Sequence, residues 1–179
     1  MEERYPDAYL HYLMEYHATR DFFECHELLE EYWKEHPGDS RAEIWVGLIQ
    51  LAVGHYHLRR GNYNGARKIY ANSLQRLNLQ ALEELGIDGS KLLHALEHRQ
   101  EKLLAGELVG YEEMDFDLID PQLASEMQSR CQTAGLQWGI IEGIEAAVIH
   151  RHKLRDRSEV IAARAAAAEL KKKSRPGAV

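Results

Sequence analysis

The chain has 179 residues, of which 45% are hydrophobic and 28% are charged, and its net charge is −7. This length favours one domain with a sizeable core, and the composition excludes wholesale disorder and low-complexity classes. The sequence has no apolar run of about 18 residues and no signal-peptide core at its start, so we expect a cytoplasmic protein without a membrane span. Two cysteines, Cys25 and Cys131, are too few for a disulfide scaffold.

Helical periodicity and capping residues predict five helices in the first 105 residues. The predicted helices are 6–18, 22–36, 41–60, 63–80 and 89–105. Asp21 and Asn62 are typical N-cap residues, and Ser40 and Glu43 have the spacing of a capping box.

The later part of the chain has a different character. Residues 106–121 are acidic and bracketed by glycine and proline, which predicts an extended arm along the surface without a partner strand. Short helices are expected near 121–134 and 140–150, and Ser158 begins an alanine-rich helix to about Lys173. The sequence therefore predicts an all-α fold: a compact bundle of about five core helices with an extended arm and a C-terminal helical tail. The predicted domains are 1–135 and a basic extension over 136–179.

Charge is distributed unevenly along the chain. Residues 150–179 hold nine basic and three acidic residues, a net charge of +6, so the remaining 149 residues carry −13. An acidic body argues against nucleic-acid binding by the body itself. The tail over 150–175 is a candidate contact for RNA or for an acidic protein surface, and an ordinary solvated helix is the alternative.

The second predicted helix places polar groups on an aromatic face. Phe23, His26, Glu30 and Trp33 share one stripe at helical spacing. A buried Glu30 needs a partner, and His26 lies one turn away. The pair is either structural or part of a ligand set. The segment His26 to Glu30 is similar to a zincin motif whose second histidine is replaced, and a histidine with carboxylates such as Glu43 suits a divalent metal.

The third predicted helix carries a matching stripe. Glu43, Gly47, Gln50, Gly54 and His57 recur along one face. Because glycine is unfavourable inside a helix, its repetition indicates close backbone approach or room for a ligand. We infer that this stripe faces the His26 stripe and forms a buried His/Glu/Gln cluster. Two residues also have simpler interpretations, Glu43 as the capping-box glutamate and His57 as a histidine at a helix C-terminus.

Several blocks resemble the DUF309 family, small bacterial all-helical proteins of unknown function. The family's His-x3-Glu-x2-Trp signature corresponds to His26, Glu30 and Trp33. Its Gly-Leu-Ile-Gln-x-Ala block corresponds to Gly47 to Ala52, and a third block corresponds to His57, Gly61, Asn62, Gly65 and Ala66. The later region resembles longer members from Gram-positive bacteria. The resemblance implies an all-α fold and supplies no activity.

Two hypotheses follow for the function, and whether the protein is an enzyme stays open. The first is a metal-binding or small-molecule site with hydrolase-like chemistry. Its candidate residues are His26 and Glu30 for catalysis, Trp33, Gln50, His57, Asn62 and Arg67 for substrate binding, and His26, Glu30 and Glu43 for a divalent metal. A surface arginine is the alternative for Arg67, and His55 is expected to be structural or exposed. The second hypothesis is a non-enzymatic protein- or RNA-interaction module that uses the acidic body and the basic tail, and a homo-oligomer suits either.

Overall fold

Helices make up most of residues 3–151, which are the residues that the computed structural model of this chain describes. In chain order they are α1 (Asp7–Met14), a π-helical turn (Glu15–Thr19), α2 (Phe22–Glu35), α3 (Ala42–Arg59), α4 (Tyr63–Arg76), α5 (Leu79–Glu84), α6 (Gly89–Ala105), α7 (Pro121–Thr133) and α8 (Ala146–Ile149). The described residues contain no β-strand, only an antiparallel bridge between Ile87 and Leu118. The predicted all-α fold is confirmed. Within the same residues, no helix has the length and apolar character that crossing a membrane requires.

Side-chain caps fix where most helices begin. The Asp21 carboxylate accepts a hydrogen bond from the Glu24 amide at 3.0 Å, and the Asn62 side chain accepts one from the Gly65 amide at 3.0 Å. Both bonds satisfy amides that the first helical turn leaves unpaired. The predicted starts of α2 and α4 are therefore confirmed.

One predicted boundary of α4 is wrong, and α3 begins one residue later than predicted. Helix α3 starts at Ala42 with Arg41 at its N-cap, and the Arg41 side chain makes no capping bond. The capping box of Ser40 and Glu43 stays a prediction. Asp39 also organises this turn, because its carboxylate accepts bonds from the Arg41 amide at 2.7 Å and from Trp45 Nε1 at 3.1 Å. Helix α4 ends at Arg76 rather than near residue 80, and Asn78 caps the separate helix α5.

The first helix changes its pitch before it ends. Residues Glu15–Thr19 form a π-helical turn, and the next residue, Arg20, has φ of 57°. This left-handed conformation is unusual for a residue other than glycine, and π turns are frequent at functional sites. The turn directs Tyr16, His17 and Arg20 into the interior, where all three are buried.

Helix α3 is the central element of the core. It packs against α2 on one side and α4 on the other. Its buried side chains include an apolar stripe at helical spacing, Ile44, Leu48, Leu51 and Leu58. Burial on both sides explains why this helix is apolar around most of its circumference.

The arm, defined as residues 107–120, is extended as expected and has one face in solvent. Met114 and Phe116 are only 7% and 3% exposed, whereas Asp115 and Asp117 between and beside them face solvent. This period-two alternation is typical of an extended segment with one buried face. The arm therefore lies along the surface and also completes the core, which the sequence did not predict.

Residues after α7 also contact the body. Trp138 stacks on the His17 ring with centroids 4.0 Å apart, and the Gly139 amide donates to the His17 carbonyl oxygen at 2.9 Å. Residues 3–149 fall within one compact unit. The domain boundary at 135/136 stays a prediction. The helix expected from Ser158 to Lys173 lies outside the described residues.

Candidate functional site

The predicted His26–Glu30 pair forms on α2. His26 Nε2 lies 3.0 Å from Glu30 Oε2, and Lys34 Nζ lies 3.0 Å from Glu30 Oε1. The His26 and Glu30 side chains are 25% and 32% exposed. The Glu30 carboxylate is therefore paired with His26, as predicted, and both side chains are half-buried on the same helix.

Glu43 does not join this pair. Its carboxylate lies 2.6 Å from Arg76 Nη1 of α4, and its side chain is 74% exposed. Throughout residues 3–151, no three His, Cys, Asp or Glu side chains are grouped so that they could hold a metal ion. The structure thus leaves the predicted metal set of His26, Glu30 and Glu43 unassembled, because Glu43 is directed towards α4.

The glycines of the α3 stripe pack against α4. A Cβ atom on Gly54 would lie 2.2 Å from the ring of Tyr70 on α4, and one on Gly47 would lie 2.7 Å from Leu77, the residue after α4. The Ser73 hydroxyl also donates to the Gly47 carbonyl oxygen at 2.8 Å. The glycines therefore permit close helix approach, which was one of the two interpretations. Glu43 is directed to α4 as well, and a cluster of Gln50 with His26 and Glu30 stays a prediction.

The remaining predicted binding residues take structural positions. Asn62 Nδ2 lies 3.2 Å from His57 Nδ1 at the junction of α3 and α4, so these two residues are brought together. Trp33 packs against the core from α2. The Arg67 carbonyl oxygen accepts a bond from Gln100 of α6 at 2.8 Å. A substrate-binding role for any of them stays a prediction.

A buried hydrogen-bond chain that sequence reasoning missed runs through His55. Tyr16 Oη lies 2.6 Å from the Met114 carbonyl oxygen and 2.6 Å from His55 Nε2. On the other side of the ring, His55 Nδ1 lies 2.6 Å from Tyr70 Oη and 3.3 Å from Arg99 Nη1. We call this set the His55 chain. It joins the π turn, three helices and the arm.

The number of available protons determines which group donates and which accepts in each hydrogen bond of the His55 chain. The Met114 carbonyl can only accept, so Tyr16 donates its single hydroxyl proton there. His55 Nε2 must then carry a proton and donate to Tyr16, which leaves Nδ1 to accept from Tyr70. Burial and the nearby arginines Arg99, Arg59 and Arg20 hold the pKa of His55 well below its usual value, so the ring is neutral.

His17 is a second buried neutral histidine. Its Nδ1 donates to the Leu13 carbonyl oxygen at 2.9 Å, and its Nε2 accepts from the Phe116 amide at 2.9 Å. Burial lowers the pKa of His17 to about 4. The ring therefore fastens the arm to the first helix in one fixed tautomer.

Two arginines meet beside the His55 chain. The Arg20 side chain is fully buried: its Nη1 lies 2.6 Å from Asp115 Oδ1, and its Nε donates to the Ile140 carbonyl oxygen at 2.8 Å. Arg59 Nη1 donates to the Arg20 carbonyl oxygen at 2.7 Å, and its guanidinium carbon lies 4.6 Å from the centre of the Phe22 ring. Among the described residues, Arg20 Nη2 and both Nε and Nη2 of Arg59 are buried without a hydrogen-bond partner.

Tyr111 and Glu113 of the arm border both guanidinium groups. The Tyr111 hydroxyl donates to Glu113 Oε2 at 2.8 Å, and the same oxygen lies 3.7 Å from Arg20 Nη1. Arg59 is under the electrostatic influence of the same two side chains. Burial raises the pKa of Glu113 despite the opposing effect of the arginines. We call Arg20, Arg59, Tyr111 and Glu113 the arginine centre.

A cleft of about 700 Å³ lies between α6 and the arm. Arg99 and Glu113 both line it, together with Lys91, His98 and Lys102. Two members of the His55 chain, Arg99 and Met114, and one of the arginine centre, Glu113, therefore reach the wall of a surface cleft.

One sequence signal could have found His55. It lies seven residues after Leu48 and four after Leu51, so it continues the apolar stripe of α3. Because this stripe is buried in the core, a histidine on it is expected to be buried too. The arginine centre has no comparable signal, because its members come from residues 20, 59, 111 and 113 and meet only in the tertiary structure.

Comparisons with known proteins place the chain in a family. A model of the DUF309 family, described as a domain of unknown function, matches residues 9–69. The chain is 42% identical to the uncharacterized protein YpuF of Bacillus subtilis (strain 168) over 174 residues, which cover 96% of this chain and 99% of that protein. The chain belongs to the DUF309 family. No solved structure matches it.

The segment that matches the DUF309 family contains only part of the buried polar network. Arg20, His55 and Arg59 lie within residues 9–69. Tyr111 and Glu113 lie beyond it, on the arm, within the span aligned to YpuF. The family segment thus supplies Arg20 and Arg59, and the arm supplies Tyr111 and Glu113 beside them.

Proposed function

We propose that this DUF309 protein binds a small molecule through an oxyanion, a carboxylate or a phosphate group, at the arginine centre. The observation that carries this proposal is the fully buried Arg20 with Nη2 unpaired among the described residues, beside Arg59 with two N–H positions in the same condition. A buried donor without an acceptor costs about 1–3 kcal/mol, more when it is charged. A bound oxyanion would remove this cost.

The chemistry of the guanidinium group favours this class of ligand. Arginine presents several donors in a planar fork that matches carboxylate and phosphate oxygens. Three arginines, Arg20, Arg59 and Arg99, lie around the centre. Asp115 pairs with Nη1 of Arg20 and leaves Nη2 of that residue for a ligand. Arg59 rests on the face of Phe22, which holds its guanidinium group in place.

The cleft between α6 and the arm offers a route to this position. Glu113 lies both in the cleft wall and in the arginine centre, so a molecule in the cleft approaches the centre directly. The cleft volume of about 700 Å³ falls within the range of small-molecule sites. Most of the ligand would lie in the cleft, with its oxyanion towards the arginines.

Titration calorimetry and thermal unfolding with inorganic phosphate, sulfate and acetate test the proposal. We expect binding and a raised unfolding temperature with the wild-type protein, and loss of both with Arg59→Gln. Arg59→Lys keeps the charge without the fork and is expected to weaken binding by about tenfold or more. Lys68→Gln is the control, because it removes one cation from an exposed position on the neighbouring helix α4. Equal loss with Lys68→Gln, or no binding of any of the three anions, would contradict the proposal.

The other functions predicted from the sequence remain separate proposals. Hydrolase-like chemistry at His26 and Glu30 is supported only by their pairing on α2. The predicted RNA or protein contact uses residues 150–175, nearly all of which lie outside the described residues. The arginine centre is favoured because it combines charge, burial and unpaired donors.

A further inference from the structure

We propose that Glu113 is a built-in electrostatic competitor of the ligand at the arginine centre: the negative charge of its carboxylate opposes binding of an oxyanion until the carboxylate takes up a proton. This inference rests on the proposed function, since it concerns how the same site is regulated. It predicts that binding of an anion is accompanied by uptake of up to one proton.

Glu113 makes only a long contact with Arg20. Its Oε2 is 3.7 Å from Arg20 Nη1, beyond hydrogen-bond distance, whereas Asp115 Oδ1 is 2.6 Å from the same nitrogen. The hydrogen bond that Glu113 does make comes from Tyr111, its neighbour on the arm. The carboxylate therefore faces the cations without a direct bond to Arg20.

The surroundings of Glu113 disfavour its charge. The side chain is 13% exposed. The charged and titratable groups that act on it from each neighbouring element are Arg20 after the π turn, Arg59 on α3, Tyr111 and Asp115 on the arm, Tyr16 on the π turn and Tyr70 on α4. Burial outweighs the attraction of the arginines and raises the pKa of Glu113. Glu113 therefore takes up a proton at a higher pH than an exposed glutamate does, and protonation removes the negative charge that would repel an incoming anion.

Asp115 is a poorer candidate for this role. It is paired with Arg20 at short distance, and its side chain is 43% exposed, so solvent reaches it. Glu113 combines burial, the cleft wall and the loose contact, and it lies on an extended segment. Neutral Glu113 could keep its place beside Tyr111 while the ligand takes the unpaired donors.

Sulfate is the probe for the test, because it does not titrate between pH 5 and pH 8. With the full-length wild-type protein, we expect the affinity for sulfate to rise as the pH falls, by at most about tenfold per pH unit for one proton. Calorimetry in buffers of different ionisation enthalpy should report uptake of up to one proton. Glu113→Gln, which keeps an oxygen to accept from Tyr111, should bind sulfate at least tenfold more tightly at pH 7.5, with little dependence on pH.

Glu112→Gln is the matched control, because it removes the same charge from an exposed position on the same arm. Equal tightening by Glu112→Gln would show a general charge effect and overturn the inference. Full pH dependence in Glu113→Gln would also overturn it and would point to His98 in the cleft wall. Both results leave the proposed function standing. Absence of sulfate binding in the wild-type protein and in Glu113→Gln at every pH would remove the proposed function and the inference together.

Discussion

At the scale of single residues, the interior of this protein is unusually polar. His17, His55, Arg20 and Arg99 are all buried, and each makes several hydrogen bonds. Buried histidines of this kind are neutral because the folded state disfavours their charged form. Such residues link stability to pH, since the unfolded chain binds protons that the folded protein does not.

His17 gives a prediction with a defined sign. Its pKa is about 4 in the folded protein against 6.5 unfolded, so its contribution to stability is complete above about pH 6.5 and is lost as the pH falls towards 4. The loss from this residue is about 3 kcal/mol. Urea unfolding of the wild-type protein and of His17→Gln between pH 4.5 and 7.5 measures it. We expect a shallower decline in the variant, which keeps a donor and an acceptor.

His94→Gln is the control for this measurement, because His94 is exposed on α6. Its pH profile should follow that of the wild-type protein. An unchanged slope in His17→Gln would mean that His17 is not the group whose protonation opposes folding.

At the scale of elements, close packing of α3 and α4 depends on residues without side chains. Gly54 lies against the ring of Tyr70, which is buried and held by its bond to His55. The ring cannot swing away without breaking the His55 chain. Helix propensity alone would favour alanine at Gly54 by up to about 1 kcal/mol, so the contact and not the propensity selects glycine.

Gly54→Ala should therefore destabilise the protein strongly. The new Cβ atom would lie 2.2 Å from the Tyr70 ring, so the helices must separate. Overpacking of this kind costs roughly 3 kcal/mol, which exceeds the gain in helix propensity. The free energy of unfolding in urea checks this. Gly38→Ala, where a Cβ atom meets nothing within 4 Å, should change stability by less than about 0.5 kcal/mol. Similar values for the two variants would refute the packing argument.

At the scale of the whole molecule, the arm holds the structure together. The His55 chain ends at the Met114 carbonyl, His17 binds the Phe116 amide, and Arg99 donates to the Glu112 carbonyl. These bonds connect the arm to the π turn and to α6. The arm should therefore become protected from solvent only when the helices are assembled.

Tyr16→Phe tests this connection. The change removes the hydroxyl between His55 and Met114 and leaves a buried donor and a buried acceptor unpaired, at about 1–3 kcal/mol each. Amide hydrogen exchange measured by mass spectrometry should become faster in peptides of the arm. Tyr63→Phe is the control, because Tyr63 is 42% exposed and its hydroxyl accepts from the Gly110 amide of the arm across 3.4 Å, a contact that solvent can replace. Unchanged exchange of the arm in Tyr16→Phe would show that Met114 is held by other contacts.

The sequence by itself determined the helices, because their signals are local. Asp21 and Asn62 cap their own helices, and the apolar stripe of α3 marks the buried side of one element. The His26–Glu30 pair was predictable for the same reason, since both residues lie on one turn of α2. The resemblance to the DUF309 family was also visible from short sequence motifs.

Only the tertiary structure decided which faces meet. The sequence pattern of the stripe with Gly47 and Gly54 is the same whether its neighbour is α2 or α4. Helical periodicity predicts which residues share a face of one helix, and it does not predict which other helix packs against that face. The arginine centre joins residue 20 to residue 113, and an unusual backbone conformation at Arg20 makes that meeting possible. Contacts at such separation come from packing of whole elements, and no local pattern records them.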